Sequence, residues 1–275
     1  MSGKNWILLV AGSKDWANYK HQANVCLHYQ ILKNHPNEPI PDEQIVVMMY
    51  DDIARNPINP CNGEIVSVVD KSNVYSGVPI DYTGEDVTPE NFLAALRGDT
   101  ITGKKVIDSG PNDNIFVYMC GVEQEQFPFQ FLERTLSPDK LIETLKSMHD
   151  NCKFSKMVIY MDSSYSETMF KDLPEDINVF ALTSCSKYIE TTPTDYDGPR
   201  GVFLSNKFSS AWLKMILNTV DFTTTTFHDL IERAQPKYRL KQNCDPANPD
   251  EKPPCPCAFG DREITKCFLS EFLQQ

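Results

Sequence analysis

The side chains that could act in hydrolysis lie just after short runs of apolar residues. His21 follows the first of these runs, Cys120 the third, Ser164 the fourth and Cys185 the fifth. Hydrolysis through a covalent intermediate needs a nucleophile, a base that takes its proton and a group that orients the base. Ser164 is a nucleophile by type, but no histidine follows any of the later runs. His21 is therefore the only histidine that the order of segments places near the end of a run.

The five runs are nearly continuous and rich in β-branched residues, which is typical of strands buried on both faces of a parallel sheet. Stretches with helical character separate them, and two of these begin with proline after Thr88 and Ser137, which are predicted N-caps. Gly98 is expected to end the first of the two. Strands that alternate with helices predict an α/β fold, with helices on both faces of a mostly parallel central sheet. The predicted strands are residues 6–11, 45–50, 115–119, 157–161, 179–182 and, near the C-terminus, 263–268; the predicted helices are residues 20–34, 89–97 and 138–149.

This order of elements also locates the candidate site. In open parallel sheets, ligands bind beyond the carboxyl ends of the strands. The segments that follow the runs should therefore meet at one edge of the sheet. They comprise residues 12–21, 120–123, 162–166 and 183–186.

Composition and charge limit the function classes. Of the 275 residues, 41% are hydrophobic and 23% are charged, as in an ordinary globular protein, and a single domain over residues 1–275 fits better than two. The formal charge of -12 argues against nucleic acid binding, which needs clustered lysine and arginine. No apolar run reaches about eighteen residues, so the sequence predicts no contact with a membrane through a spanning segment.

Four of the nine cysteines lie in the C-terminal tail. Cys255 and Cys257 are too close together for the usual spacing of zinc ligands, and no histidine lies near them. We therefore expect no metal and no other cofactor. A disulfide within the tail, which also contains Cys244 and Cys267, is favoured over a metal site.

Several long segments are specific enough to suggest a family. They are VAGS at residues 10–13, NYKHQA at 18–23, PDEQIVVMMYDDIA at 41–54, GVPIDYTGEDVT at 77–88, FL at 92–93 and LRGD at 96–99. Together they resemble the legumain family of asparaginyl endopeptidases, which are cysteine peptidases with a caspase-like fold. The resemblance runs from about residue 5 to residue 214 and continues more weakly to the C-terminus. It implies a caspase-like α/β domain from which the C-terminal prodomain of the family is absent.

The resemblance breaks where the family carries its catalytic pair. Val122 stands at the position of the catalytic histidine, and Ser164 stands at the position of the catalytic cysteine. Asn18 matches the asparagine that supports the histidine in the family. Gly121 replaces an aspartate, and Glu123 replaces the glycine after the histidine. Because valine accepts no proton and a serine hydroxyl needs a base, these positions imply an inactive peptidase.

The pocket with which the family reads a substrate asparagine is altered as well. Its positions correspond here to Lys20, His21, Asp162, Glu190 and Asn206. Lys20 stands in place of an arginine, which removes the planar guanidinium fork. Asn206 stands in place of an aspartate, and Glu190 in place of a serine. A move of the acidic group from position 206 to position 190 is an alternative to its loss.

The leading hypothesis is a legumain-like pseudopeptidase that binds a protein or peptide, or that regulates an active relative. The aromatic residues Phe127, Phe129 and Tyr165 would then fill the former cleft. The alternative is a hydrolase or peptide ligase with rebuilt chemistry, in which Cys120 or Cys185 acts with the histidine near the first run. The two hypotheses differ in whether the site retains any reactive nucleophile.

A third hypothesis concerns Arg97, Gly98 and Asp99, which form the tripeptide found in integrin ligands. The family also carries this tripeptide at the same position. Because Gly98 is the expected end of a helix, the sequence does not favour an integrin-type contact. The resemblance implies a secreted, lysosomal or vacuolar protein, although the chain shows no signal peptide.

Overall fold

The computed structural model describes residues 3–100, 103–124, 127–218, 221–238 and 256–275. Six of its strands form a central sheet in the order β11-β8-β7-β3-β1-β2, in which β11 alone runs antiparallel to its neighbour. The strands are β1 (Asn5–Ala11), β2 (Ile45–Met48), β3 (Asn114–Cys120), β4 (Val122–Gln124), β5 (Phe127–Phe131), β6 (Arg134–Thr135), β7 (Lys156–Asp162), β8 (Val179–Thr183), β9 (Pro193–Asp197), β10 (Val202–Asn206) and β11 (Cys257–Gly260). The helices are α1 (Tyr19–Lys33), α2 (Pro89–Arg97), α3 (Pro138–Asp150), α4 (Lys207–Asn218), α5 (Phe227–Tyr238) and α6 (Ser270–Leu273).

The sheet confirms the predicted α/β fold and the five apolar runs. Every residue of β1 is buried, because helices cover both faces of the sheet. Ile7 and Leu9 belong to the core formed with α1, α4 and α5, whereas Leu8 and Val10 belong to the core formed with α2 and α3. A strand buried in this way has no solvent face, which explains its continuous apolar sequence.

The ends of the helices agree with the sequence in part. The Thr88 side chain accepts a hydrogen bond from the Asn91 amide, and Gly98 ends α2 in the left-handed conformation at φ 80°. Ser137 occupies the N-cap position of α3, as predicted, although its hydroxyl makes no capping hydrogen bond. α3 still begins at Pro138, whose fixed φ suits the first turn of a helix.

The predicted strand at residues 263–268 is wrong. Residues Arg262–Lys266 form a 3-10 helix that begins where the Asp261 side chain accepts a hydrogen bond from the Glu263 amide. Ile264 and Cys267 are both buried, and their separation of three residues matches one turn of a 3-10 helix rather than the alternation of a strand. The strand of this region is β11, which precedes the 3-10 helix.

Two small sheets lie beside the central sheet. The three-stranded sheet β4-β5-β6 meets the end of β1 through a hydrogen bond of 2.9 Å from the Leu132 amide to the Gly12 carbonyl. The antiparallel pair β9-β10 precedes α4. Within the described ranges, no helix combines the length and the apolar character that crossing a membrane requires.

Candidate functional site

The segments after β1, β3, β7 and β8 meet at one edge of the sheet, as the sequence predicts. The Gly12 amide donates to the Cys120 carbonyl at 2.9 Å, and the Gly121 amide donates to the Asp162 carbonyl at 3.4 Å. The Ser163 hydroxyl donates a hydrogen bond to the Gly121 carbonyl at 3.3 Å. The Ser163 amide donates another to the Ser184 hydroxyl oxygen at 3.0 Å. These bonds fix the loops relative to one another without a ligand.

Asp162, the last residue of β7, is a fully buried acid. Its carboxylate accepts hydrogen bonds from the hydroxyl of Ser209 on α4 and, at 3.3 Å, from the amide nitrogen of Asn206 at the end of β10. Burial raises the pKa of this carboxyl, and the bonds from Ser209 and Asn206 oppose the rise. The predicted pocket residues Asp162 and Asn206 are therefore in direct contact.

Lys20 lies beside this acid, in the first turn of α1. Burial lowers the pKa of its ammonium, while the charge of Asp162 acts in the opposite direction. Among the residues that the structure describes, no carboxylate forms an ion pair with Lys20. The candidate pocket therefore combines a carboxylate that is already hydrogen-bonded with a cation that lacks a direct partner.

His21 is buried and bonded elsewhere. Its Nδ1 atom lies 2.6 Å from the Ser13 hydroxyl, and burial, reinforced by the Lys20 charge, lowers the pKa of the imidazole well below its usual range. The Cys120 thiol lies 3.4 Å from the backbone carbonyl of His21 rather than from its ring. Burial also raises the pKa of this thiol. His21 is thus a neutral base that is paired with Ser13.

Ser164 is held by the neighbouring loop. Its hydroxyl oxygen accepts a hydrogen bond of 3.0 Å from the Thr191 amide and lies 3.4 Å from the Thr191 hydroxyl. The next residue, Tyr165, adopts a left-handed φ of 57° and donates its amide to the Ile189 carbonyl at 2.9 Å. None of the five histidines, all of which lie in described ranges, forms a hydrogen bond with Ser164.

Glu190 is exposed and accepts a hydrogen bond of 3.0 Å from the Tyr165 hydroxyl. The structure therefore places it on the outside of the loop, while Asn206 is buried against Asp162. This arrangement does not support the alternative in which Glu190 takes over the role of an acid at position 206. Asn18, the other predicted site residue near α1, donates its side-chain amide to the Lys14 carbonyl at 2.9 Å.

Val122 begins β4 and pairs with Gln130 on β5. Immediately before it, Gly121 is covered by the ring of Phe129, which is fully buried. A Cβ atom on Gly121 would lie 2.7 Å from Cζ of Phe129, and one on Gly12 would lie 2.9 Å from Cε1 of the same ring. Phe129 therefore packs against Gly12 and Gly121, and the expectation that aromatic side chains fill the former cleft stays a prediction. The side chain of Phe127 lies outside the described part of the structure, and Tyr165 is half-buried.

The remaining cysteines and the Arg97-Gly98-Asp99 tripeptide also have local roles. Cys185 is buried, and the described tail residues Cys257 and Cys267 are not joined to each other by a disulfide. Cys244 and Cys255 lie outside the described residues.

Arg97 donates two hydrogen bonds, of 2.9 and 2.7 Å, to the Asp99 carboxylate, so the charged groups of the tripeptide bind each other. In the described ranges, no group of three or more potential ligand side chains is placed to hold a metal ion.

Two important residues of this edge were missed by the sequence analysis. Ser209 binds the buried carboxylate, and Thr191 binds the Ser164 hydroxyl. The start of α4 gives a weak signal, because Ser209 and Ser210 are small polar residues in an otherwise apolar helix. No pattern in the sequence indicates the contact between Thr191 and Ser164, because it joins two irregular loops.

Comparison with known proteins gives a consistent result. Residues 5–273 match the peptidase C13 family. Legumain from Rattus norvegicus is 43% identical over 231 residues, which cover 82% of this chain and 52% of the relative. The hemoglobinase of Schistosoma japonicum is 35% identical over 97% of this chain and 59% of its own length, and the vacuolar-processing enzyme delta-isozyme of Arabidopsis thaliana is 34% identical over 98% and 58%. The chain thus spans a little over half the length of these relatives.

Proposed function

The chain belongs to the peptidase C13 family, and we propose that it is a pseudopeptidase, a legumain-like scaffold that binds a protein or peptide without cleaving it. One observation carries the proposal. The Ser164 hydroxyl, at the position where the resemblance puts the nucleophile, is bonded to the backbone of Thr191, and no base among the described residues contacts it. Val122, at the position of the base, has a side chain that can neither accept nor donate a proton.

The chemistry of acyl transfer explains why this arrangement should be inactive. A serine hydroxyl attacks a carbonyl only when a neighbouring base removes its proton in the transition state. Removal of the nucleophile and the base from a hydrolase leaves roughly 10³- to 10⁴-fold catalysis over water, which comes from binding and oxyanion contacts.

The groups that remain at the edge support binding. Lys20 is a cation without an ion-pair partner among the described residues, and it lies beside the buried Asp162 and Asn206. A peptide with an acidic or amide side chain has the hydrogen-bonding groups that complement a lysine ammonium. The negative formal charge of -12 supports a partner other than nucleic acid. The pairing of Arg97 with Asp99 supports the absence of an integrin-type contact.

A second candidate function has one observation in its favour. Ser13 and the neutral His21 are in hydrogen-bonding contact, which is the arrangement of a nucleophile with its base. Ser13 is 6% exposed and His21 is 2% exposed, so a substrate carbonyl has no path to the hydroxyl in this conformation. We therefore rank a rebuilt hydrolase or ligase below the pseudopeptidase.

The experiment is incubation of the purified protein with peptides that contain asparagine or aspartate, from pH 4 to pH 8, with product detection by mass spectrometry. The proposal expects cleavage no faster than in buffer for the natural protein and for the matched variants Ser164→Ala and Ser13→Ala. Cleavage that Ser164→Ala abolishes would refute the pseudopeptidase. Cleavage that only Ser13→Ala abolishes would establish the second candidate function instead.

The binding half of the proposal needs its own measurement. Fluorescence anisotropy with the same labelled peptides should detect binding to the natural protein and weaker binding to Lys20→Met, because the free cation is lost. Lys33→Met is the control. Lys33 is the last residue of α1, away from the site, and its ammonium pairs with the Asp42 carboxylate at 3.0 Å. Equal binding by both variants would show that the Lys20 pocket is not the peptide site.

A secreted, lysosomal or vacuolar location remains part of the proposal, by family resemblance alone.

A further inference from the structure

A cluster of three reactive or charged side chains lies at the opposite edge of the sheet from the candidate site. Lys156 is the first residue of β7, Cys267 follows the 3-10 helix near the C-terminus, and Glu271 lies in α6. The Lys156 ammonium nitrogen is 3.1 Å from the Cys267 sulfur and 3.0 Å from a Glu271 carboxylate oxygen. The cluster is therefore an amine held in contact with a thiol by an ion pair.

The surrounding structure keeps the two groups together. The C-terminal segment lies across the amino ends of the central strands, where the Asn114 side chain donates to the Glu271 carbonyl at 2.8 Å. The side chain of Asn5 donates to the Gln274 carbonyl in the same way. Because both backbones are fixed, the Lys156 nitrogen and the Cys267 sulfur are neighbours without a search through conformations. Such preorganisation greatly accelerates a reaction between two groups.

We propose that Lys156 and Cys267 form a modification site, at which a peroxide joins the lysine nitrogen to the cysteine sulfur by a reversible covalent bond. In the first step the Cys267 sulfur attacks hydrogen peroxide, the O–O bond breaks, and the departing hydroxide takes the thiol proton, so that a sulfenic acid and one water molecule form. In the second step the Lys156 ammonium gives one proton to solvent, its neutral nitrogen attacks the sulfur, the S–O bond breaks, and the departing hydroxide takes a second proton from nitrogen and leaves as water. Peroxide is reduced to two water molecules, and the thiol and amine together lose two hydrogen atoms.

Burial decides which product this thiol gives. Cys267 is 9% exposed, so a small neutral peroxide can reach it while a large thiol such as glutathione is hindered. The sulfenic acid is then trapped by the amine already in contact with it, before a second peroxide oxidises it further. Cys61 is an exposed thiol without a lysine in contact among the described residues, and it should give the ordinary mixture of sulfinic acid and mixed disulfides.

The new bond would join β7, the strand that leads to Ser164, to the C-terminal segment. The two residues are separated by 111 positions, so the bond would close a long loop. A cross-link of this kind stabilises mainly by restricting the unfolded chain, and its effect increases with loop length. The site is thus an oxidation-dependent clamp on the fold. It is independent of whether the candidate site cleaves or binds peptides.

The test is treatment of the folded protein with hydrogen peroxide at pH 8, followed by denaturation, alkylation of free thiols, digestion with trypsin and mass spectrometry. We expect a species that joins the peptides containing Lys156 and Cys267, with two hydrogen atoms fewer than their sum and no tryptic cleavage at Lys156. Dithiothreitol should reverse it. Lys156→Arg, which keeps the ion pair with Glu271, and Cys267→Ser should both abolish it, whereas Cys61→Ser should leave it unchanged.

Thermal unfolding gives a second readout that does not depend on peptide recovery. The oxidised natural protein should melt about 5 °C higher than the reduced protein, and the oxidised Lys156→Arg variant should show no such rise. The proposal is overturned if Cys267 is recovered as a free thiol or a sulfinic acid while Lys156 is cleaved normally. It is equally overturned if Lys156→Arg gives the same cross-linked mass and the same rise in melting temperature.

Discussion

The two halves of the candidate site are built in different ways. Around Asp162, a fully buried carboxylate is held by hydrogen bonds from Ser209 and Asn206. Around Ser164, a half-buried hydroxyl is bonded to the backbone of an adjacent loop, and none of the five histidines of the chain forms a hydrogen bond with it. The first half has groups that can bind a polar side chain, whereas the second pairs the Ser164 hydroxyl with the backbone and hydroxyl of Thr191. The difference supports a scaffold in which binding has been separated from catalysis.

The largest effect should come from the buried half. Asp162→Ala leaves a cavity and removes the acceptor of Ser209 and Asn206, so we expect the free energy of unfolding to fall by about 3 kcal/mol. Ser209→Ala, which removes only one of the donors, should lower it by about 1 kcal/mol. Urea denaturation measures both. If the two variants were equally stable, the carboxylate would not organise this half of the site.

An aspartate at position 121 should lower the free energy of unfolding nearly as much. Gly121→Asp places a Cβ atom 2.7 Å from Cζ of Phe129, so we expect a loss of about 2 kcal/mol in unfolding free energy from overpacking. The double variant Gly121→Asp with Phe129→Val should recover at least half of that loss, because the smaller side chain removes the clash. Additive losses in a double-mutant cycle would show that the two positions are independent.

The pH dependence of stability tests the state of the same acid. Because burial raises the pKa of Asp162 in the folded protein, the folded state binds the proton more tightly than the unfolded state. The contribution of Asp162 to stability is therefore full below the ordinary pKa of an aspartate and is lost as the pH rises through the raised value. The natural protein should lose stability relative to Asp162→Asn over that interval. A gain in relative stability over the same interval would mean that the carboxylate is stabilised in its charged form.

The smallest effect is expected from replacing the catalytic pair alone. Val122→His with Ser164→Cys should yield little cleavage of asparagine peptides, because Phe129 still covers Gly121 and Lys20 stands where the resemblance implies an arginine. A quenched fluorescent peptide provides the measurement, and Val122→Gln with Ser164→Ala is the matched control. Robust cleavage by the first double variant would show that the second half of the site needs only its two reactive groups.

The sequence predicts the central sheet well and the candidate site less completely. Continuous apolar runs identify β1 and β7 because burial on both faces leaves a strong local signal. The prediction for residues 263–268 failed because the segment is short, and the three-residue spacing of Ile264 and Cys267 is that of a 3-10 turn rather than of a strand. The contacts of Ser164 with Thr191 depend on two irregular loops that meet only after folding. Local patterns in a single sequence carry no information about such a contact.

The central claim is that Ser164 is not a working nucleophile. The most direct measurement is the intact mass of the protein after incubation with a peptide that carries asparagine next to an electrophile able to trap serine or cysteine. Our account predicts no adduct at Ser164 from pH 4 to pH 8, so that the natural protein and Ser164→Ala each keep the mass that they have before incubation. A stoichiometric adduct that peptide mapping assigns to Ser164, and that is lost in Ser164→Ala, would contradict it.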